Sequence, residues 1–273
     1  MHVRSVLASL GVSLALGIVS ANAQTYAPPH PTIRSTSIPA LAAIARERAL
    51  RLRFDMGLQA QSKGAWAQSA ADFEAALKLQ PPEPAGSTAH YDLSLAYVHL
   101  GRLNEAAVQL REALSLDPAF LAAMANLISV DLQRGDVGEA RAIASRFVRI
   151  APNSARALYS RGLIALQSRD PAQAAADFGR LLANDPQYAV AQYDLGIAQA
   201  RLHNDADAKR AFTSALAIAP TYAQARFALA TVFLREGHKR EAREAFNRAA
   251  KDAQNDPALR TLARSMYDAI DAP

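Results

Sequence analysis

The chain has 273 residues, 51% of them hydrophobic, enough to bury one or two sizeable cores. It contains no Cys, which excludes disulfides, thiolate zinc sites, iron–sulfur clusters and a cysteine nucleophile. Its net charge of +5 is too weak and too dispersed to point to nucleic acid.

Residues 1–23 read as an export signal. Met1-His2-Val3-Arg4 is a short basic start, Val6 to Val19 is mostly apolar, and Ala21-Asn22-Ala23 supplies the small residues that a signal peptidase reads. Cleavage is expected between Ala23 and Gln24, giving a periplasmic or secreted product. An uncleaved membrane anchor is the competing reading, but an apolar stretch of about 14 residues is short of the roughly 20 that span a bilayer as a helix. Removing Arg4 leaves 29 basic against 25 acidic residues, a mature net charge of +4.

Residues 24–39, with Pro28, Pro29, Pro31 and Pro39 among Thr and Ser, cannot pack and are expected to form a disordered tether. The composition then turns to Ala, Leu, Ile and Arg, with Ser37 a candidate cap and Pro39 acceptable in a first helical turn. The folded region is expected over 40–273.

An internal period dominates that region. Pro118, Pro152, Pro186 and Pro220 lie 34 residues apart, each after a helical stretch. Pro81 is three residues out of phase, which places a short insertion near Pro82-Glu83-Pro84. Ala106, Ala140, Ala174, Ala208 and Ala242 keep the same step, with Ser69 in the matching place of the first repeat, and four residues later come Phe73, Leu110, Ala144, Phe178, Phe212 and Phe246. Gly64, Gly101, Gly135 and Gly237 fall between paired helices, where a positive φ ends the first helix; the closing Pro stops the second. Small residues such as Gly57, Gly162 and Gly196 allow close helix approach, and the Phe column fills the space between hairpins.

These columns resemble the tetratricopeptide repeat, with a large–small pair in the first helix, then Ala, an aromatic and a terminal Pro. The resemblance implies an all-α, right-handed superhelical solenoid of about six helix-turn-helix repeats. Their spans are roughly 50–86, 87–120, 121–154, 155–188, 189–222 and 223–256, with a capping helix from about Pro257 to Asp271. Arg169 and His203 replace the hairpin Gly in repeats four and five, so looser turns are expected there. Asp131 and Arg161 are charges in otherwise apolar core columns. They are expected to pair with each other, because a lone buried charge is strongly disfavoured.

In this family the first helices line a concave groove, so the resemblance implies a partner-binding surface there. Its columns contain Phe54, Tyr91, Tyr159, Tyr193 and Phe227, followed by Leu58, Leu95, Leu163 and Ile197. Such a face suits an apolar segment of another protein, with Tyr hydroxyls fixing register. Packing alone is the alternative account of the aromatic column, and a third is that the chain's own 24–45 segment fills the groove. The Lys, Asn and Arg clamp with which co-chaperone members hold a terminal carboxylate is missing from these columns.

No phosphate loop, nucleophile elbow or zinc-protease helix occurs in the sequence. His90 and His99, nine residues apart, fall on different helical faces and cannot share a metal ion. Asp55 and Asp92 are expected to be solvated charges at the groove edge. Arg46, Arg48, Arg51 and Arg53 form a basic patch, read as a solvated face or a weak contact for anionic surfaces. The expected function is a scaffold or adaptor in the bacterial envelope, without catalytic residues, cofactor or metal. The alternative is a subunit of a trans-envelope secretion, pilus-assembly or polysaccharide-export machine. An enzyme is disfavoured by the missing catalytic set.

Overall fold

The structure, a computed structural model, describes residues 38–270. The signal segment, its cleavage point and residues 24–37 of the tether lie outside the described residues. Ile38 and Pro39 already belong to the first turn of the first helix.

Among the described residues there are thirteen α-helices and no strand. They are α1 (Ile38–Ser62), α2 (Trp66–Lys78), α3 (Ala85–His99), α4 (Leu103–Leu116), α5 (Leu121–Arg134) and α6 (Val137–Ile150), then α7 (Ala155–Gln167), α8 (Pro171–Asn184), α9 (Ala189–Arg201), α10 (Asp205–Ile218), α11 (Ala223–Arg235), α12 (Lys239–Asp252) and α13 (Pro257–Ala269). Each odd–even pair through α12 is one repeat, so six helical hairpins precede the closing helix α13. The described residues divide into two compact units, 38–150 and 151–270. Within each unit every helix packs on the next, as an all-α repeat array requires.

The hairpin turns share one backbone design. At each, the amide just past the turn reaches back five residues to a carbonyl of the first helix: Ala65 to Ala60, Arg102 to Tyr97, Asp136 to Asp131, Asp170 to Ala165, Asn204 to Gln199 and His238 to Phe233, all at 2.8–2.9 Å. This is the closing bond of a helix that ends on a left-handed residue. Gly64, Gly101, Gly135 and Gly237 supply that conformation, and Arg169 (φ 60°) and His203 (φ 61°) adopt it as well. The looser turns expected at repeats four and five are therefore not found. The main-chain bond holds the geometry, and the side chain bears the strain of a left-handed backbone.

Capping supplements the pattern where the sequence allows. Asp170, Asp256 and Ser154 accept hydrogen bonds from the amides of Gln173, Leu259 and Ala157 at 3.0, 2.9 and 3.3 Å. Pro171 and Pro257 occupy the first turns that follow the two aspartates. Second helices end on extended residues such as Asp117, Asp185 and Ala219, the conformation that the following Pro imposes.

The core follows the repeat. Phe73, Phe178, Phe212 and Phe246 are fully buried, each contributing about 2–3 kcal/mol by burial. A Cβ placed on Gly57 or Gly162 would stand 2.8 or 2.6 Å from the ring of Phe73 or Phe178, so the small residue of the first helix receives the Phe of its own hairpin. Phe178 and Phe212 also pack against the next repeat, through Ala198 and through Ala225, Ala228 and Val232. No helix among the described residues is long and apolar enough to cross a membrane.

Candidate partner-binding faces

First helices of the C-terminal unit approach one another, α7 to α9 and α9 to α11, which places their inner columns side by side. Tyr159, Tyr193 and Phe227 lie over Phe178, Phe212 and Phe246 of their own hairpins, with ring centroids 5.8, 5.9 and 5.1 Å apart. Tyr193 is buried, whereas Tyr159, Leu163, Ile197 and Phe227 are half-buried. In the N-terminal unit Phe54 meets Phe73 edge-on at 5.7 Å. Tyr91 is fully buried, Leu95 is buried and Leu58 is half-buried. The aromatic column is thus first a packing column. Leu58, Tyr159, Leu163, Ile197 and Phe227 are the members left partly open to solvent.

A second aromatic column was not anticipated from the sequence. Phe120, Tyr188 and Tyr222 each precede a first helix and lie 29 residues after Tyr91, Tyr159 and Tyr193. Each covers its counterpart, at 4.9, 5.5 and 5.2 Å between centroids. The signal was present in the third residue of Pro118-Ala119-Phe120, Pro186-Gln187-Tyr188 and Pro220-Thr221-Tyr222.

Polar bonds link the same columns across repeats. The Tyr159 hydroxyl donates to an Asp194 carboxylate oxygen at 2.9 Å, and Asn126 Nδ2 donates to the Tyr91 hydroxyl at 3.2 Å, both across 35 residues. Asp194 is 6% exposed and Asp92, its counterpart three repeats earlier, 8%. Burial lifts both carboxyls to about 7, against which the Tyr159 bond pulls Asp194 slightly down. Burial, then the Asp194 charge, holds the phenols of Tyr159, Tyr188, Tyr193 and Tyr222 above their usual range. The expectation of a solvated Asp92 is overturned, because the close approach of small residues around α3 draws this position into the core.

The expected Asp131–Arg161 pair is replaced by two others. Arg161 forks onto Asp177 of its own hairpin, Nε at 2.8 Å and Nη2 at 2.5 Å. Asp131 takes Arg134 one turn along α5 at 2.9 Å and Arg111 of α4 at 3.2 Å. Asp131 and Arg161 are each met by a group already delivered by their own hairpin or its neighbour. Asp131, Asp136 and Glu139 bring carboxylate oxygens within 4.8 Å of one another, but Arg111 and Arg134 are bonded into this cluster.

Of the four arginines expected as an anionic contact, two are engaged internally. Arg46 donates to the Leu79 and Gln80 carbonyls at 2.6 and 2.5 Å, and Arg53 pairs with buried Asp72 at 2.7 Å. Arg48 and Arg51 are exposed. His90 bonds Gln109 at 2.7 Å, and His99 stacks on Trp66 at 3.6 Å.

Tetratricopeptide-repeat family models match residues 54–119 and 159–223 in one case and 97–162 and 206–265 in another, so that together they span residues 54 to 265. No curated protein sequence matches the chain. A tetratricopeptide-repeat protein from Parabacteroides merdae superposes with TM-score 0.65 at 17% identity, over 82% of this chain and 100% of that one. Pseudomonas aeruginosa pilF gives 0.64 at 16%, over 81% and 99%. YrrB, described as a TPR protein with an unusual peptide-binding site, gives 0.57 at 17%, over 66% and 92%. At these identities the likeness is one of fold.

Proposed function

Because this chain belongs to the tetratricopeptide-repeat family, we propose that it is a non-catalytic interaction scaffold of the bacterial envelope, holding a segment of another protein against its first-helix faces. The observation that carries this reading is the half-buried apolar strip of Leu163, Ile197 and Phe227 in the C-terminal unit, bordered by tyrosines. Exposed polar side chains at the ends of these helices are already tied down: Arg201 to the Leu166 carbonyl at 2.6 Å and Arg235 to Asp205 at 2.7 Å. Apolar contact is therefore left to provide most of the attraction, which suits an extended or helical apolar segment. YrrB, a protein of similar fold described as having a peptide-binding site, lends support from outside the chain.

The envelope placement rests on the basic start, apolar stretch and Ala21-Asn22-Ala23 of the sequence. Within the envelope the chain acts as a free adaptor or as one part of a trans-envelope machine, and in-cell crosslinking separates the two by the mass of the captured assembly.

The test is selection of random peptides on the mature chain, compared with a Leu163→Glu/Ile197→Glu variant that remains folded by circular dichroism. Enrichment of apolar peptides on the parent and its loss on the variant is the expected result. Equal enrichment on both removes the assignment. Sequencing the amino terminus of the protein recovered from the periplasm should read from Gln24.

A further inference from the structure

Among the described residues five aspartates are buried: Asp72, Asp92, Asp131, Asp177 and Asp194. Three are matched by arginines of this chain, Asp72 by Arg53, Asp131 by Arg111 and Arg134, and Asp177 by Arg161. Neither Asp92 nor Asp194 is paired with a guanidinium or ammonium of the described residues. A buried carboxylate that lacks a counter-ion is strongly disfavoured in its ionised form, so its partner must be a proton or a cation from outside.

Asp194 differs from Asp92 in its surroundings. One Asp194 oxygen accepts the Tyr159 hydroxyl at 2.9 Å. The rings of Tyr159 and Tyr188 stack at 5.5 Å, and Tyr193 and Tyr222 meet at 5.2 Å. All four phenols lie close enough to feel the Asp194 charge. Tyr159, Tyr188 and Tyr222 are half-buried and so reach the surface. At the Asp92 position Phe54 stands in the column where Tyr159 supplies the hydroxyl, so that carboxylate has no phenol bonded to it.

A carboxylate bonded to one tyrosine of a stacked group, with the ring faces of its neighbours close by, is an arrangement that attracts ammonium and guanidinium groups, and more strongly where water is partly excluded. We propose that Asp194, with Tyr159, Tyr188 and Tyr222, receives a lysine or arginine side chain of the partner polypeptide. Half-buried Leu163 and Ile197 lie on the same first helices as Tyr159 and Asp194, so the segment received is apolar with a single cation in it. This assignment rests on the first-helix face of the C-terminal unit being the binding face.

The experiment uses fluorescein-labelled twelve-residue peptides of Leu, Ala and Gly that differ only in a central Lys, Arg, Gln or Glu. Binding is read by fluorescence anisotropy at pH 8, above the value of about 7 to which burial lifts the carboxyl. On the parent chain the Lys and Arg peptides should bind about tenfold tighter than the Gln peptide. Asp194→Asn, which retains an acceptor for Tyr159, should reduce that preference to about twofold or less, and Tyr222→Leu should reduce it partly. Asp92→Asn, which removes an equally isolated carboxylate from the other unit, should leave it intact. If Lys and Gln peptides bind alike, or the preference survives in Asp194→Asn, the cation assignment is wrong while the apolar binding face stands. If no peptide binds, both readings fall.

Discussion

Arg161 and Asp177 close the fourth hairpin from within, the guanidinium fork of α7 lying on a carboxylate of α8 at 2.8 and 2.5 Å. The position of Arg161 is held by Leu93, Leu127, Leu195 and Leu229 in neighbouring repeats, so an apolar residue fits the column. Arg161→Leu alone strands Asp177 and should lower unfolding free energy by about 3 kcal/mol in urea titration. Adding Asp177→Ala should recover most of it. An Arg161→Leu chain as stable as the parent would mean that the pair contributes nothing.

Two of the hairpin turns carry a left-handed residue that is not Gly. Arg169→Gly and His203→Gly should each raise stability by about 0.5–1 kcal/mol, because removing Cβ relieves backbone strain by more than the added freedom of the unfolded chain takes away. Thermal melting of the two single variants and the double is the measurement. Gly101→Ala in the equivalent turn should do the reverse.

Two helical glycines should respond oppositely to alanine. A Cβ at Gly162 meets Phe178 at 2.6 Å, so Gly162→Ala should destabilise by about 1–3 kcal/mol. Nothing lies within 4 Å of a Cβ at Gly179 on α8, so Gly179→Ala should stabilise by up to about 1 kcal/mol through helix propensity. Equal effects at both sites would contradict the close approach assigned to the Gly162–Phe178 contact.

Acid should strengthen the fold before it weakens it. Asp92 and Asp194 stand at about 7 in the folded chain, above the value of 3.8 for a free carboxyl. The folded state therefore binds protons more tightly, and this contribution is complete below about pH 4 and lost as pH rises through 7. Each group accounts for up to about 4 kcal/mol across that window. Urea midpoints measured from pH 4.5 to 8 should fall with rising pH, and the Asp92→Asn/Asp194→Asn variant should flatten the slope.

The fold was legible because its determinants are local and recur. A Pro every 34 residues and the Ala and Phe columns set helix ends and faces without knowledge of distant contacts. The pairing of charges was less legible. Reading Asp131 and Arg161 down the first-helix columns overlooked partners on the second helices, since Asp177 and Arg111 belong to a different periodic face. Asp194 went unnoticed because its column reads Asp, Asp, Asn, Ser, Asp, Ala, a polar series that resembles a solvated edge. Its burial follows from rings arriving out of the inter-repeat loops, as Tyr188 and Tyr222 do, which helical periodicity alone does not predict.

Since every hairpin reversal is secured by the same amide-to-carbonyl bond whichever side chain sits there, positions 64, 101, 135, 169, 203 and 237 form a set of addresses whose chemistry can be rewritten without redrawing the backbone. A glycine, an arginine and a histidine already share this role. Within each unit the hairpin turns can thus diversify in charge, or carry a spectroscopic label, while the helix packing beneath them stays unchanged.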